Sequence, residues 1–424
     1  MSKRAHRGSL ADGLVLNQSL ENRGIHLGPE YFDKAATQAE FQVLCDTVRK
    51  EYGTSCLWRY IYEWCLCSEY ISEERLSYNI VYKPSTVNDF GVPLQVTINR
   101  SKPEIVAGQK SVSSLAPGAQ CVICFENVAS AGKPGLRAYE FVLNGRSFFV
   151  QYPPYPYCDG HAVVIEREHT AQIITRNTVD DLLDFATNFE HLCISSNTDK
   201  SGTGASILQH RHYQVSGMRL PLFSAVSAAD AQPMQYGAAS VSVLHYPVVA
   251  IRIEGTDTGT IAKAATRILD IWRSEEFCAA EGFEVDQQTM SFSALHEYGN
   301  FILIMVPRTT TAQTNPHNHC IKHEFVGILE MAGYAVLPAR LHDELAKLEG
   351  VLENNSDPAQ LPADLTSFAP FVDDCWTKIE DKDPHSRMEA ALNAAFANII
   401  RENSPYDSTD KTKTMRLVNK ALEH

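Results

Sequence analysis

The apolar residues of this chain come in short, strand-sized runs separated by amphipathic helical stretches, and this order occurs twice. In the first pass LQVTIN (94–99) alternates as a strand does, and YEFVLNGRSFFVQY (139–152) reads as a hairpin turning at Asn144-Gly145. HAVVIE (161–166) is a buried strand. TVDDLLDFATNFEHLC (178–193) is an amphipathic helix with Thr178 as its N-cap and Asp181 at the third helical position, and SILQHRHYQV (206–215) is another strand. The second pass is looser: residues 241–254 read as a strand, 260–277 as a helix and NFILIMVP (300–307) as a strand. Residues 339–353 and about 387–402 read as helices, joined by a Pro/Asn/Ser-rich connection over 354–370. Ahead of both passes, Phe41, Leu44, Val48, Leu57, Tyr60, Ile61 and Trp64 recur at helical spacing. The pattern predicts an α+β fold of two halves, antiparallel sheets with packed helices, after an N-terminal helical segment. The boundaries are 1–90, 91–225 and 226–424.

Composition narrows the function. With 37 basic and 51 acidic residues the formal charge is −14, which argues against a nucleic-acid partner, since that needs a basic face. The longest aliphatic run, Phe301 to Val306, is far short of the ~20 residues a bilayer span needs, so no membrane association is expected. The 11 cysteines are odd in number and form no disulfide-like spacing, and the opening MSKRAHRGSL has no apolar stretch. Reduced thiols and a cytoplasmic enzyme are the expectation.

The densest chemical signal is Gln209-His210-Arg211-His212-Tyr213-Gln214. Read as a strand, it puts His210, His212 and Gln214 on one face, and three polar side chains there need partners if buried. Upstream, NTDKSGTGAS (197–206) is a Gly/Ser/Thr-rich loop whose backbone N–H groups suit phosphate oxygens. A neutral imidazole can attack phosphorus and form a nucleotidyl-histidine, provided its other ring nitrogen is held as N–H. Gln214 and the loop amides would then stabilise the non-bridging oxygens. The alternative is a pair of ordinary structural histidines. A second signal is Cys121-Val122-Ile123-Cys124, a spacing that lets two thiolates meet one zinc ion. His161, His169, His191 and His210 are the available partners, and two buried thiols without a metal are the alternative.

In order along the chain, VTINRSKPE (96–104), CVICFEN (121–127), FFVQYPPYPYCDGHAVVIEREHTAQII (148–174), GASILQHRHYQV (204–215) and IKHEFVGILEMAGYAVLPARL (321–341) resemble the galactose-1-phosphate uridylyltransferases of the second class, within the histidine-triad superfamily. The resemblance spans about residues 90–350. It implies two histidine-triad-like halves, His212 as the uridylylated nucleophile and Gln214 holding the phosphoryl oxygens. It implies a structural zinc on Cys121, Cys124, His169 and His210. Asn197, Gly202, Gly204 and Ser206 match the phosphate loop, and Arg100 and Lys102 are expected near the nucleotide. The implied reaction transfers UMP from UDP-glucose to galactose 1-phosphate through a ping-pong cycle, with a UDP-sugar and a hexose 1-phosphate as partners and a homodimer as the assembly. Other readings are a nucleotide-sugar or dinucleotide phosphorylase, a hydrolase of the same superfamily, or a non-catalytic zinc-stabilised binding protein.

The remaining features read as structural. Trp58, Trp64, Trp272 and Trp376 sit in helical patterns and belong to the core, and Cys45, Cys56, Cys65 and Cys67 read as buried thiols. Arg308 and Arg340 read as ordinary surface residues, with an anion-facing role as the alternative. His317, His319 and His323 read as solvated loop histidines, with a second metal as the alternative.

Overall fold

The computed structural model describes residues 18–86, 88–101, 115–311, 320–322, 326–353, 360–380 and 383–423. In chain order, α1 (Gln38–Tyr52), α2 (Thr54–Cys67) and α3 (Glu73–Leu76) precede β1 (Ile80–Val81), β2 (Gln95–Asn99), β3 (Tyr139–Leu143), β4 (Arg146–Gln151) and β5 (Ala162–Glu166). Then come α4 (Arg176–Asn188), β6 (Cys193–Ser196), β7 (His212–Ser216), β8 (Met234–Tyr236), β9 (Ala239–Val243) and β10 (Ile251–Gly255). Next are α5 (Thr258–Trp272), α6 (Glu275–Glu281), β11 (Gln288–Glu297), β12 (Asn300–Thr309), α7 (Ile328–Met331) and β13 (Tyr334–Pro338). The chain closes with α8 (Leu341–Leu352), α9 (Ala369–Asp374), α10 (Pro384–Glu402) and α11 (Lys411–Leu422).

Ten strands form one antiparallel sheet in the order β3-β4-β5-β7-β6-β11-β12-β10-β9-β8. That order explains why the sequence grammar occurs twice. Each half is a three-strand meander, then a helix, then two strands of which the later one returns to pair with the meander. The halves meet at β6 and β11, where Ser195 pairs with Ser293, so each half is the approximate mate of the other about that seam. A separate three-stranded sheet, β1-β2-β13, pairs β2 with β13 in parallel and with β1 antiparallel.

The two faces of the large sheet bury different things. Alternation sends Phe148, Val150, Val164, Tyr213, Val215, Leu303 and Met305 to one face, where they pack with α1, α2, α4, α5 and α11. On the other face, Ile302, Ile304 and Val306 of the second half pack with the small sheet, α8 and α10. In the first half that same face carries, among the described residues, a small separate apolar cluster, Phe149 and Ile165 with Ile123 and Phe125 from the Cys-x-x-Cys turn. His212 and Gln214 therefore lie in a gap in the apolar cover. The outer edge of β3 is closed by α1: Gln38 gives and takes hydrogen bonds with the Ala138 backbone (2.6 and 3.0 Å), and Gln42 does so with Glu140 (3.0 and 2.8 Å).

The 139–152 hairpin turns as expected, with Asn144 and Gly145 both at positive φ (47° and 75°), as a type I′ turn requires. Five expectations are corrected. The 206–215 strand starts only at His212, because residues 206–211 belong to the loop that carries His210 to the cysteines. The α4 helix begins at Arg176 with Thr175 as its N-cap; Thr178 instead accepts from the Thr175 N–H at 3.2 Å. The stretch 241–254 is broken between β9 and β10 around Pro247, and the 260–277 helix stops at Trp272, with α6 restarting at the Ser274 cap. Asp181 is no N-terminal residue but a fully buried one. Arg146 Nη2 reaches both of its oxygens at 2.5 Å, and the Tyr213 hydroxyl donates to it at 2.6 Å.

This carboxylate ties α4 to β4 and to the strand that bears His212. Asp181→Ala would leave the buried Tyr213 phenol without its acceptor and the Arg146 guanidinium with Glu166 alone. We expect a loss of about 3–5 kcal/mol of stability, read as a lower midpoint in urea unfolding.

Candidate functional site

The Cys-x-x-Cys turn is fastened from within. The Asn127 side-chain amide donates to the carbonyls of Cys121 (2.8 Å) and Cys124 (3.2 Å), and the Cys121 N–H points at the Cys124 sulfur (3.3 Å). Phe125 stands edge-on against Phe149, which seats the turn on β4. Two histidines converge on it. His169, in the loop after β5, brings Nδ1 to 3.2 Å from Cys124 Sγ. His210 brings Nδ1 to 3.3 Å from Cys121 Sγ and 3.7 Å from Cys124 Sγ, and the two sulfurs are 3.5 Å apart. All four donor atoms lie within 4.8 Å of one another. Four zinc ligands at ordinary bond lengths would sit about 3.3–3.8 Å apart, so the donor set fits a tetrahedral ion. Burial pushes the Cys121 thiol up to about 11, so a cation is what would make this sulfur a thiolate at neutral pH. His210 is also oriented from behind: its Nε2–H donates to the Glu166 carbonyl at 2.8 Å, leaving Nδ1 to face the cysteines. The Glu166 carboxylate is pinned in turn by Arg146 at 2.6 Å. Of the four partners the sequence offered, His169 and His210 join the cysteines. His161 and His191 lie elsewhere: His161 faces Gln214, and His191 packs near Tyr298.

His212 opens β7 and is 5% exposed. Its Nδ1 lies 2.8 Å from the His210 carbonyl, an atom that can only accept, so Nδ1 carries the proton and the lone pair resides on Nε2. Its backbone N–H donates to Gln172 Oε1 at 3.2 Å, and Gln172 in turn donates to Ser196 Oγ at 3.1 Å. Desolvation lowers the pKa of His212 and keeps the ring neutral. Two residues on, Gln214 Oε1 accepts from His161 Nε2–H at 3.2 Å. His161 is buried and stacked on Tyr157 with ring centroids 4.1 Å apart, and burial draws its pKa down to about 4. A neutral donor thus holds the oxygen end of the Gln214 amide, which turns its N–H2 group away, toward the open side.

The glycine-rich loop is built against the second half. Asn197 Oδ1 accepts from the Ile328 N–H at 2.8 Å. Gly202 and Gly204 take positive φ (80° and 86°), and a Cβ on Gly204 would meet the Val326 carbonyl at 2.3 Å, so only glycine fits. Asp199, which sequence reasoning passed over, anchors this loop. It accepts from Thr289 Oγ1 at 2.6 Å and pairs with Arg273 at 2.9 Å. Its signal was a lone carboxylate inside a glycine-rich run. Ser206 is exposed. Arg100 follows β2 in the small sheet, exposed, and among the described residues it makes no contact with His212 or the loop. Lys102, His317, His319 and His323 lie outside the described residues. Arg340 pairs with Glu344 at 2.5 Å and donates to the Cys320 carbonyl, as a structural residue would. Arg308 is buried rather than superficial.

The mirrored halves, with a cluster of two cysteines and two histidines beside a His-x-His-x-Gln segment, define the class: an α+β protein of two similar halves around one antiparallel sheet. Residues 78–217 match a family model described as a domain of unknown function (DUF4922). The chain is similar to proteins named galactose-1-phosphate uridylyltransferase: 30% identical to that of Staphylococcus saprophyticus over 69% of this chain and 63% of that protein. The figures are 31% for Caldanaerobacter subterraneus (69% and 61%) and 32% for Clostridium acetobutylicum (70% and 64%). The chain thus spans a little under two thirds of the length of these relatives. Among solved structures, the yeast Ap4A phosphorylase Apa2 superposes with a TM-score of 0.42 and 11% identity, over 68% of this chain and 88% of that one.

Cys124→Ser removes the one sulfur that touches both histidines. We expect elemental mass spectrometry to find a metal ion in the purified wild type and none in the variant. A metal affinity unchanged by this substitution would contradict the cluster.

Proposed function

We propose that the chain is a nucleotidyltransferase that moves UMP from a UDP-sugar to a hexose 1-phosphate through a uridylyl-histidine at His212. One observation carries this reading. A buried, neutral imidazole has Nδ1–H tied to the His210 carbonyl, which leaves Nε2 as its nucleophile, while the amide of Gln214 is turned to donate beside it. The names of the relatives supply the sugar phosphates.

In the first half-reaction, His212 Nε2 forms a bond to the α-phosphorus, and the bond from that phosphorus to the bridging oxygen breaks. The electron pair leaves with the hexose 1-phosphate. No proton needs to move, because Nδ1–H stays on its carbonyl acceptor and steadies the positive ring. Gln214 and the loop at Gly202, Gly204 and Ser206, with Asn197 fixing its start, are assigned to the phosphoryl oxygens, and Arg100 and Lys102 to the nucleotide. In the second half-reaction a phosphate oxygen of the incoming hexose 1-phosphate attacks the same phosphorus and His212 departs, which makes the kinetics ping-pong.

Cys121, Cys124, His169 and His210 would hold a structural zinc, whose four protein ligands leave no position for substrate. The role of His210 is to present its backbone carbonyl to His212. The division at about residues 90 and 225 fits the same picture, since β3–β7 fall in one half and β8–β12 in the other. None of the 11 cysteines forms a disulfide among the described residues, which supports a cytoplasmic setting. Among the described residues no helix is long and apolar enough to cross a membrane.

Incubation with UDP-glucose should add one UMP to the wild type by intact mass spectrometry and nothing to His212→Ala. Full labelling of that variant would end the proposal. Chase with galactose 1-phosphate, inorganic phosphate or water then identifies the acceptor. His161→Ala frees the Gln214 amide to rotate, and we expect transfer to slow by roughly 10- to 100-fold, with partial recovery in His161→Gln.

A further inference from the structure

Arg308 is 1% exposed, yet among the described residues its one hydrogen bond is from Nη2 to the Val326 carbonyl at 3.1 Å. Nε and Nη1 are buried without a partner. Glu330, the acid among the described residues whose charge acts on Arg308, is already engaged by Lys322 and by the Gly327 N–H. Asp199 and Arg273 neutralise each other on the neighbouring loop. Among the described residues, Arg308, Lys322 and Glu330 together leave one positive charge unmatched, in a place where an unpaired ion is costly. Burial brings the Arg308 pKa down only to about 10, so it is charged at neutral pH.

Register fixes where this charge lies. Ser195 pairs with Gln214 and with Ser293, which places Gln214, Ser195, Ser293 and Ile304 in one row on one face. One row along stand His212, Ser291 and Val306, and beyond them Thr289 and Arg308. Arg308 thus shares a face with His212 and Gln214, three strand spacings or about 14 Å across the sheet. The carbonyl it touches, that of Val326, is the atom against which Gly204 is packed. On the floor between them Ser291 Oγ is also buried without a partner.

We propose that Arg308 binds the phosphate monoester of the hexose 1-phosphate, the group that leaves in the first half-reaction and enters in the second. The second half of the chain thereby completes the site of the first. This rests on the nucleotidyl-transfer reading above. The phosphate supplies the negative charge that the Arg308 surroundings lack and the acceptors for Nε and Nη1, while His212 and Gln214 attend to the α-phosphorus.

The test uses the full-length, metal-loaded wild type with Arg308→Met and Arg308→Lys. Melting temperatures are measured alone, with inorganic phosphate and with glucose 1-phosphate, against potassium chloride of equal ionic strength. Replacing an unpaired buried ion by an apolar side chain of similar length is neutral or stabilising. We therefore expect Arg308→Met to melt at or above the wild type when ligand-free and to lose the rise that both phosphates give the wild type. Its KM for hexose 1-phosphate should increase by roughly 10- to 100-fold, with Arg308→Lys intermediate. A ligand-free Arg308→Met that melts well below the wild type and still responds to phosphate would overturn the proposal. So would a wild type with no phosphate-dependent rise, and this decides the matter even if Arg308→Met does not fold. If no nucleotide labels His212 but the phosphate response still depends on Arg308, the anion site stands and the transfer reading falls.

Discussion

The site hangs on the two ends of one residue. The ring of His210 belongs to the cysteine cluster, and its backbone carbonyl, 2.8 Å from His212 Nδ1, sets the tautomer of the next imidazole. A ring gripped by two sulfurs and by the Glu166 carbonyl cannot drift, so its carbonyl cannot drift either. In the proposed reaction the cluster would act through geometry: its rigidity is converted into a fixed direction for the lone pair on Nε2. This explains why the cluster is assembled on the sheet face that the first half leaves without an apolar cover.

The second half shows what this arrangement costs to keep. β12 occupies the place in its half that β7 occupies in the first, between the last meander strand and the strand at the seam. Where β7 turns His212 and Gln214 to the open face, β12 turns Ile302, Ile304 and Val306, which are sealed under the small sheet and the C-terminal helices. One half has become support and the other carries the polar groups. Arg308, at the far end of β12, is the exception that faces back across the seam.

What could be read without coordinates follows from where information resides in a chain. The cysteine pair was legible from its spacing, the choice of His169 and His210 came only with the family resemblance, and Cys121, Cys124, His169 and His210 do meet. The shared face of His212 and Gln214 was legible from strand alternation. The acceptors that orient the histidines were not, because the carbonyls of Glu166 and His210 carry no side-chain signature. Asp181 looked like a helix-start acid because an acid near Thr178 suits that role; its partners Arg146 and Tyr213 come from distant strands. Arg308 looked superficial because arginine nearly always is. Burial is decided by β11 and by the 326–330 segment, and no local pattern announces it.

The pair of glutamines along the first turns of α1 has a consequence for association. By giving and accepting hydrogen bonds at Ala138 and Glu140 they behave as a short imitation strand, and the β3 border is left with few unsatisfied amides to offer a stranger. The opposite border, β8, is only three residues long. A sheet of this width would ordinarily invite continuation from chain to chain; here growth is terminated at one rim by side chains and starved at the other by brevity. Pairing of two such molecules would have to use the flanks of their helices or loops, which keeps the sheet from serving as a seed for fibres.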